Sequence, residues 1–385
     1  MQDFCELCGR DTLTLAYAPE RSVRGISVHV CSYCGLVQSL PRIDHMPRGP
    51  ATVSGGADWG NVRYGKGFRT QIALDAVAQY APKGQFTLLD VGSNRGRFID
   101  ALKAERPDAV VTAVEPDERV ADCVADKAEL HNCRIEEIHF DSGRFDVVHS
   151  CHTVEHLAHP ARVLRGHHRV LKEGGILIID APNIELIGSD DIVEEWFIDK
   201  HLYHFSARTL TRMLEQVGFT ILQAPDPKDR ENLFVVAKKG IAAGGHRPAD
   251  PKEVDHAVEL LSTYAATRAH NINALGAAAK ELAGLASKGI AMWGAGRIFD
   301  TLVVHGGFDP MLLKVLIDTH LRSYVADRHG FPLSGPEALS ESQPGLVVVM
   351  SRGFAGEIAA EAKKRAPAAE ILLFTDLLGR ARLAA

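Results

Sequence analysis

LLDVGSNRG, residues 88–96, decides the fold. An apolar strand pattern runs into Asp90, turns at Gly92 and meets Gly96 at the mouth of a helical pattern, RGRFIDALKAE. Glycine at 92 lets the backbone turn tightly and come close to a ligand. Glycine at 96 lets the following helix pack close. The next strand pattern, VVTAVEP, ends in another acid, Glu115. A carboxylate at the tip of a second strand can accept both hydroxyls of a ribose. The loop is not a dinucleotide loop, which reads G-x-G-x-x-G to approach a pyrophosphate. Asp90, just ahead of the first glycine, would repel such a group and suits a cationic one.

Strand-like and helix-like patterns alternate on both sides of this stretch. A helix is predicted over FRTQIALDAVAQY, then the strand FTLLDVG, the helix RGRFIDALKAE, the strand AVVTAVEP and a helix near ERVADCVADKA. A short strand near Arg134, the strand FDVVHS, the helix PARVLRGHHRVL and the strand GILIIDAP follow. The helix SARTLTRMLEQVG and the strands FTILQA and NLFVVAKK complete the series. Such alternation makes an α/β fold, a mostly parallel sheet with helices on both faces. Ligands of such sheets lie at the carboxyl ends of the strands. The chemistry is therefore expected just after Val91, Glu115, Ser150 and Ala181.

With 385 residues the chain is too long for one ordinary core. Composition divides it into residues 1–58, 59–239 and 252–385, with the Gly-, Ala- and Pro-rich KKGIAAGGHRPADP, residues 238–251, as a linker. The net charge of −6 gives no generic attraction to nucleic acid or an anionic membrane, and neither partner is expected. MQDFCELCGR carries no apolar core of signal-peptide length, and no run reaches the roughly 20 apolar residues of a membrane span. These features predict a cytoplasmic protein. Its seven cysteines, an odd number, then point to thiols and metal ligands rather than a disulfide framework.

Four of those cysteines form CELC and CSYC: Cys5, Cys8, Cys31 and Cys34. Two C-x-x-C knuckles supply four thiolates, enough to close a tetrahedral zinc shell. A closed shell has no position for water, so the zinc is expected to be structural. The charge around it is too mixed to favour nucleic acid.

The order LLDVGSNRG, AVEP, FDVVHSCHTVEHLAHP, LKEGGILIIDAPN resembles a class I S-adenosylmethionine-dependent methyltransferase. The resemblance implies that Asp90, Gly92, Ser93 and Gly96 form the cofactor loop and that Glu115 holds the ribose. It also implies that residues near Arg134 to Glu136 approach the adenine. His152, Glu155 and His156 then follow the fourth strand and line the cleft. A metal site built from His152, His156, His159 and Glu155 is the alternative for HTVEHLAHP. Pro160 and the match to the methyltransferase pattern favour a loop and short turn that supports the cofactor.

Toward the C-terminus, KGIAMW runs into WGAGR, LKVLID ends in Asp318, and GFPLSGPEAL precedes GLVVVMS. This is a second strand–glycine–helix unit, and a lone G-x-G is weak support for a dinucleotide. Together with the cysteine knuckles, the layout resembles the three-domain sugar C-methyltransferases of deoxysugar pathways. These have a zinc-binding N-terminal module, a class I (Rossmann-like) methyltransferase domain and a second, Rossmann-like C-terminal domain. The resemblance implies a small-molecule substrate, a nucleotide-linked sugar methylated at the carbon next to a ketone.

In that family a stretch close to E-H-x-x-Y-F-S carries the proposed base. FIDKHLYHFSARTL, residues 197–210, aligns His201 with that histidine, and Phe205 and Ser206 with its end. Lys200 stands where the orienting glutamate is expected and His204 where a tyrosine is common. The resemblance thus nominates His201 as base, with Lys200, His204 and Tyr64 of GNVRYGKGFRT as further catalytic residues. Imidazole suits the task, because a base needs a pKa near working pH. The competing structural reading makes the stretch a helix start, with Ser206 as N-cap and Phe205 packed behind it. Methyl transfer to oxygen or nitrogen of another small molecule, and a non-catalytic cofactor-binding scaffold, are the other functions compatible with the sequence. A homo-oligomer stays open.

Overall fold

A computed structural model describes residues 4–20, 25–42, 68–197, 201–241, 248–323 and 325–385. The chain is α/β and divides into two units. One comprises Met1–Pro50, Lys66–Ile187 and Phe197–Ser262; the other includes Gly188–Trp196 and Thr263–Ala385.

The first unit opens with β1 (Leu13–Tyr17), β2 (Ser27–Cys31) and β3 (Val37–Leu40), an antiparallel ribbon that carries the cysteine knuckles. Then come α1 (Phe68–Tyr80), β4 (Phe86–Val91), α2 (Arg97–Glu105), β5 (Ala109–Val114), α3 (Glu118–Ala125), β6 (Glu129–His131), β7 (Phe145–Cys151), α4 (Pro160–Val170) and β8 (Leu171–Pro182). The strand expected near Arg134 lies earlier, at β6. Arg134 itself caps a 3-10 turn, Ile135–Glu137, because the chain must leave the sheet edge there. β9 (Tyr203–His204), α5 (Ala207–Gln216), β10 (Phe219–Gln223) and β11 (Asn232–Lys239) complete the unit's sheets.

The main sheet runs β10-β11-β8-β7-β4-β5-β6, parallel except for β11, which is antiparallel to both β8 and β10. Strand order reverses at β4, which pairs with β5 on one side and β7 on the other. Such a switch point leaves a crevice above the strand ends. Alternate residues feed two cores, as the pleat requires. Leu89, Val148 and Leu177 pack toward α4 and α5; Leu88, Val147 and Ile178 pack toward α1 and α2.

The ribbon is not a separate body. β9 pairs with β3, placing Tyr203 opposite Gln38 and His204 opposite Val37. Cys5, Cys31 and Leu36 share a core with Val91, Tyr203 and Phe205. The expected boundary near residue 58 therefore does not separate the cysteine module from the sheet.

α6 (Pro251–Gly284) is a 34-residue helix. In the second unit β12 (Ile290–Trp293), α7 (Arg297–Val304), β13 (Leu313–Ile317), β14 (Asp327–Arg328), β15 (Phe331–Ser334), α8 (Ala338–Ser342), β16 (Leu346–Val349), α9 (Ala355–Arg365), β17 (Glu370–Leu373) and α10 (Phe374–Ala384) follow. The sheet runs β14-β15-β13-β12-β16-β17 and is parallel from β15 to β17. Met292 and Val348 face α7 and α10, whereas Ala291 and Val347 face α8 and α9. Among the described residues no helix is long and apolar enough to cross a membrane.

Candidate cofactor cleft and imidazole cluster

The turn after β4 sits at the switch point. Gly92 has φ +75°, and a Cβ added there would overlap the Thr153 hydroxyl. Gly96, at φ +71°, is the N-cap of α2, and its added Cβ would press within 3.2 Å of Val124. Glu115 ties the turn to the tip of β5. Its oxygens accept the backbone N–H of Asn94 at 2.7 Å and of Asp117 at 2.9 Å. Burial pushes its pKa up, while these two bonds favour the charged form. A carboxylate has about four lone-pair positions, so acceptor capacity for a diol remains.

Asp90 is anchored to β7. One oxygen meets His149 Nδ1 at 2.7 Å, and His149 stacks on Phe98 with ring centroids 3.9 Å apart. The other oxygen, with Ser93 Oγ and Asn94 Oδ1, is buried and finds no hydrogen-bond partner among the described residues. Buried polar atoms are rarely left unpaired without a reason. Three at one glycine turn suit a ligand that carries donors, and the amino acid and hydroxyl groups of S-adenosylmethionine fit. Asp90 Oδ2, Ser93, Glu115 and the Gly92 backbone would hold it.

A second group gathers beside this turn. Cys151 ends β7, and the 3-10 turn Val154–His156 follows, a short turn as expected. Thr153 Oγ1, the atom against Gly92, donates to the Val91 and Cys151 carbonyls. Glu155 is buried, with Oε1 3.4 Å from His152 Nδ1 and 3.7 Å from His156 Nε2. His201 completes the group: one ligand atom each from Glu155, His156 and His201 lie within 4.8 Å of one another. The two imidazole rings stand 4.7 Å apart. Backbone bonds fix this meeting, since Leu202 N–H donates to Glu155 O and Ser39 N–H to Leu202 O, each at 2.8 Å.

His152 has φ +47°, an uncommon conformation for a non-glycine residue and one that collects at functional sites. Arg69, on the first turn of α1, donates to His152 Nε2 at 2.7 Å and pairs with Asp180 at the end of β8. Asp180 also accepts from Cys151 Sγ at 3.5 Å.

His204 does not join the cluster. It is buried in β9, its Nε2 2.9 Å from Ser39 Oγ and its ring edge-on to Phe197. Burial pushes its pKa down to about 3, so it is a neutral core group. Tyr203 is also core and donates to Ala158 O at 2.8 Å. Ser206 caps α5 by accepting Thr209 N–H, with the Thr209 hydroxyl returning to Ser206 N–H. The structural reading therefore accounts for Tyr203 to Ser206 and leaves His201. Tyr64 and Lys200 lie outside the described residues. His159 turns away toward Glu6, at 3.5 Å.

Sequence reasoning missed Arg69, Asp180 and His149. The acid that ends IIDAP was the local signal for Asp180; Arg69 and His149 carried none.

Cys5, Cys8, Cys31 and Cys34 are all buried, with Sγ contacts of 3.4 Å from Cys5 to Cys34 and 3.6 Å from Cys8 to Cys31. Tetrahedral zinc with Zn–S near 2.3 Å implies about 3.8 Å between sulfurs, so the cluster is compatible with zinc. Hydrogen bonds from Cys34, Cys5 and Cys8 push the Cys31 thiol well down, and the same contacts push Cys34 well up. Four thiolates at this spacing become compatible around a divalent cation.

Residues 66–224 match the family model described as a methyltransferase domain. No curated protein matches the chain. Solved structures similar to it include an S-adenosylmethionine-dependent methyltransferase from Mesorhizobium loti, 16% identical, covering 49% of this chain and 100% of that one, with a TM-score of 0.35. Another is a methyltransferase of the same dependence from Aquifex aeolicus, 17% identical, covering 45% of this chain and 90% of that one, with a TM-score of 0.36.

Proposed function

We propose that this chain, which carries an S-adenosylmethionine-dependent methyltransferase domain, methylates a nucleotide-linked sugar at the carbon next to a ketone, with His201 as the base. The observation that carries the reading is that Cys151–His156 borders two places at once. Its Thr153 hydroxyl lies against Gly92 of the cofactor turn, and its Glu155 and His156 lie beside His201. A proton acceptor next to a methyl-donor site is what carbon alkylation needs. A carbon is not nucleophilic until it loses a proton.

S-adenosylmethionine supplies an electrophilic methyl sulfonium when bound. The chain's residues do the rest. A ring nitrogen of His201 takes the proton from carbon and becomes imidazolium; the electron pair moves to the ketone oxygen. Lys200, by its charge, is assigned to stabilise that oxygen, and Tyr64 to the substrate side. Alignment of donor and acceptor then comes from the fixed Gly92 turn. Zinc on Cys5, Cys8, Cys31 and Cys34 is structural in this account, and the substrate is a small molecule in solution in the cytoplasm.

His201→Ala is expected to lower kcat by roughly a hundredfold to ten-thousandfold while leaving the affinity for S-adenosylhomocysteine nearly intact. The wild type should exchange the substrate C–H proton for deuterium in heavy water. Methyl transfer without such exchange would sink the carbon target. It would favour transfer to oxygen or nitrogen, the reading that Lys200 in place of a glutamate supports. Binding of S-adenosylhomocysteine with neither methyl transfer nor proton exchange would favour the non-catalytic cofactor-binding scaffold.

A further inference from the structure

We infer that Glu155 is the positioning carboxylate of the proton-transfer site, filling from another part of the chain the role that Lys200 cannot take. The inference rests on the reading of His201 as base. An imidazole base is usually oriented by a third group, commonly a carboxylate, that fixes its tautomer and favours the imidazolium. Lys200 is a donor only and cannot accept a ring N–H.

Glu155 meets the requirements on three counts. It is 1% exposed, so its charge acts through little solvent screening. Its backbone is clamped to the base, because its carbonyl accepts the N–H of Leu202, next to His201. Its carboxylate and the ring nitrogens of His156 and His201 fall within 4.8 Å.

The far side of Glu155 is held as well. Arg69 donates to His152 Nε2, so that nitrogen accepts and the proton resides on Nδ1, which faces Glu155 Oε1 at 3.4 Å. His152 thereby presents an N–H toward the carboxylate without closing a hydrogen bond to it. Arg69 is in turn paired with Asp180, from the end of β8. The contacts Asp180–Arg69–His152 fix the imidazole that faces the carboxylate, and the left-handed backbone of His152 is the cost of aiming it. Among the described residues, the charged and titratable groups reached from Glu155 through these contacts are His152, His156, His201, Arg69 and Asp180.

The test is histidine-labelled NMR titration of the full, zinc-loaded chain, with the His201 signal assigned through His201→Gln. Glu155→Gln should lower the His201 pKa and move the acidic limb of kcat/KM down with it. It should also reduce kcat about tenfold to a hundredfold, with little change in S-adenosylhomocysteine affinity. Glu155→Asp keeps the charge and should give a smaller shift in the same direction; it serves where the glutamine variant does not fold. An unmoved His201 titration in the folded variant overturns the inference. Uptake of a second zinc ion per chain with loss of the His156 and His201 titrations also overturns it, making the cluster a metal site. A shifted His201 in a protein that exchanges no substrate proton leaves the positioning role standing and removes the carbon reading instead.

Discussion

The two units of the chain each set a glycine turn at the end of a central strand and an acid at the tip of the next one. In the first, Gly92 follows β4 and Glu115 follows β5. In the second, Gly294 follows β12 and Asp318 follows β13. Both acids tie their turn down. Glu115 accepts from Asn94 and Asp117; Asp318 accepts from Ala295 at 3.0 Å and from His320 and Leu321 at 3.1 and 2.8 Å.

The difference lies in what surrounds them. At Gly92, Asp90, Ser93 and Asn94 each hold a buried polar atom in reserve. In the second unit charged side chains pair with one another. Arg352, after β16, pairs with Asp191 at 2.7 Å and Glu194 at 2.6 Å. Burial works to raise Glu194, but Arg352, with Arg297 at the start of α7, brings it below the usual carboxylate range. The added Cβ of Gly294 would meet a backbone oxygen, Met350 O, at 2.7 Å, not a ligand space. The strand–glycine–helix motif is common to both turns, so it does not distinguish them. The buried polar groups held in reserve at Gly92 do distinguish them.

The sharpest way to break this comparison is to substitute both glycines. Gly92→Val should raise the dissociation constant for S-adenosylhomocysteine more than about a hundredfold, since the side chain must displace Thr153 at the cofactor turn. Gly294→Val, at φ +112° and against a backbone oxygen, should instead lower the melting temperature while leaving affinity within about twofold in the folded fraction. Equal losses of affinity would erase the distinction between the turns.

Zinc removal comes next in size. The cysteines share a core with Val91, Tyr203 and Phe205, so Cys34→Ser or strong chelation should destabilise the first unit as a whole. Loss of S-adenosylhomocysteine binding should accompany it in calorimetry. Retained binding in the metal-free protein would show the ribbon to be energetically separate.

How much of this was legible follows the distance between partners in the chain. Residues 88–96, Glu115 and the four cysteines speak through local spacing, because a turn or a knuckle is built from neighbours. The cap of α5 by Ser206 is of the same kind. His204 could not be judged locally. Its partner Ser39 is 165 residues away, and only the pairing of β9 with β3 buries both. Glu155 is likewise joined across the fold by a backbone bond to Leu202, the neighbour of His201, and Arg69 reaches Asp180 across 111 residues.

The smallest effect concerns pH. His204 and His167 are buried neutral, their pKa values pushed down to about 3 and about 4 by burial. The unfolded chain binds protons near pH 6.5, so their stabilising contribution is complete above that value. It declines as the pH falls from about 6.5 toward 4 and 3. His167→Leu should flatten part of this decline in melting temperature; an unchanged slope would mean that His167 does not resist protonation.

The central claim is that the turn after β4 is a working S-adenosylmethionine site beside a proton acceptor. Calorimetric titration of the zinc-loaded protein with S-adenosylhomocysteine, followed by a panel of dTDP-, GDP- and CDP-linked 4-keto sugars, tests it most directly. The account predicts micromolar binding of the first and of one sugar nucleotide, with the first lost in Gly92→Val. No binding of S-adenosylhomocysteine to the folded, zinc-loaded wild type would contradict it.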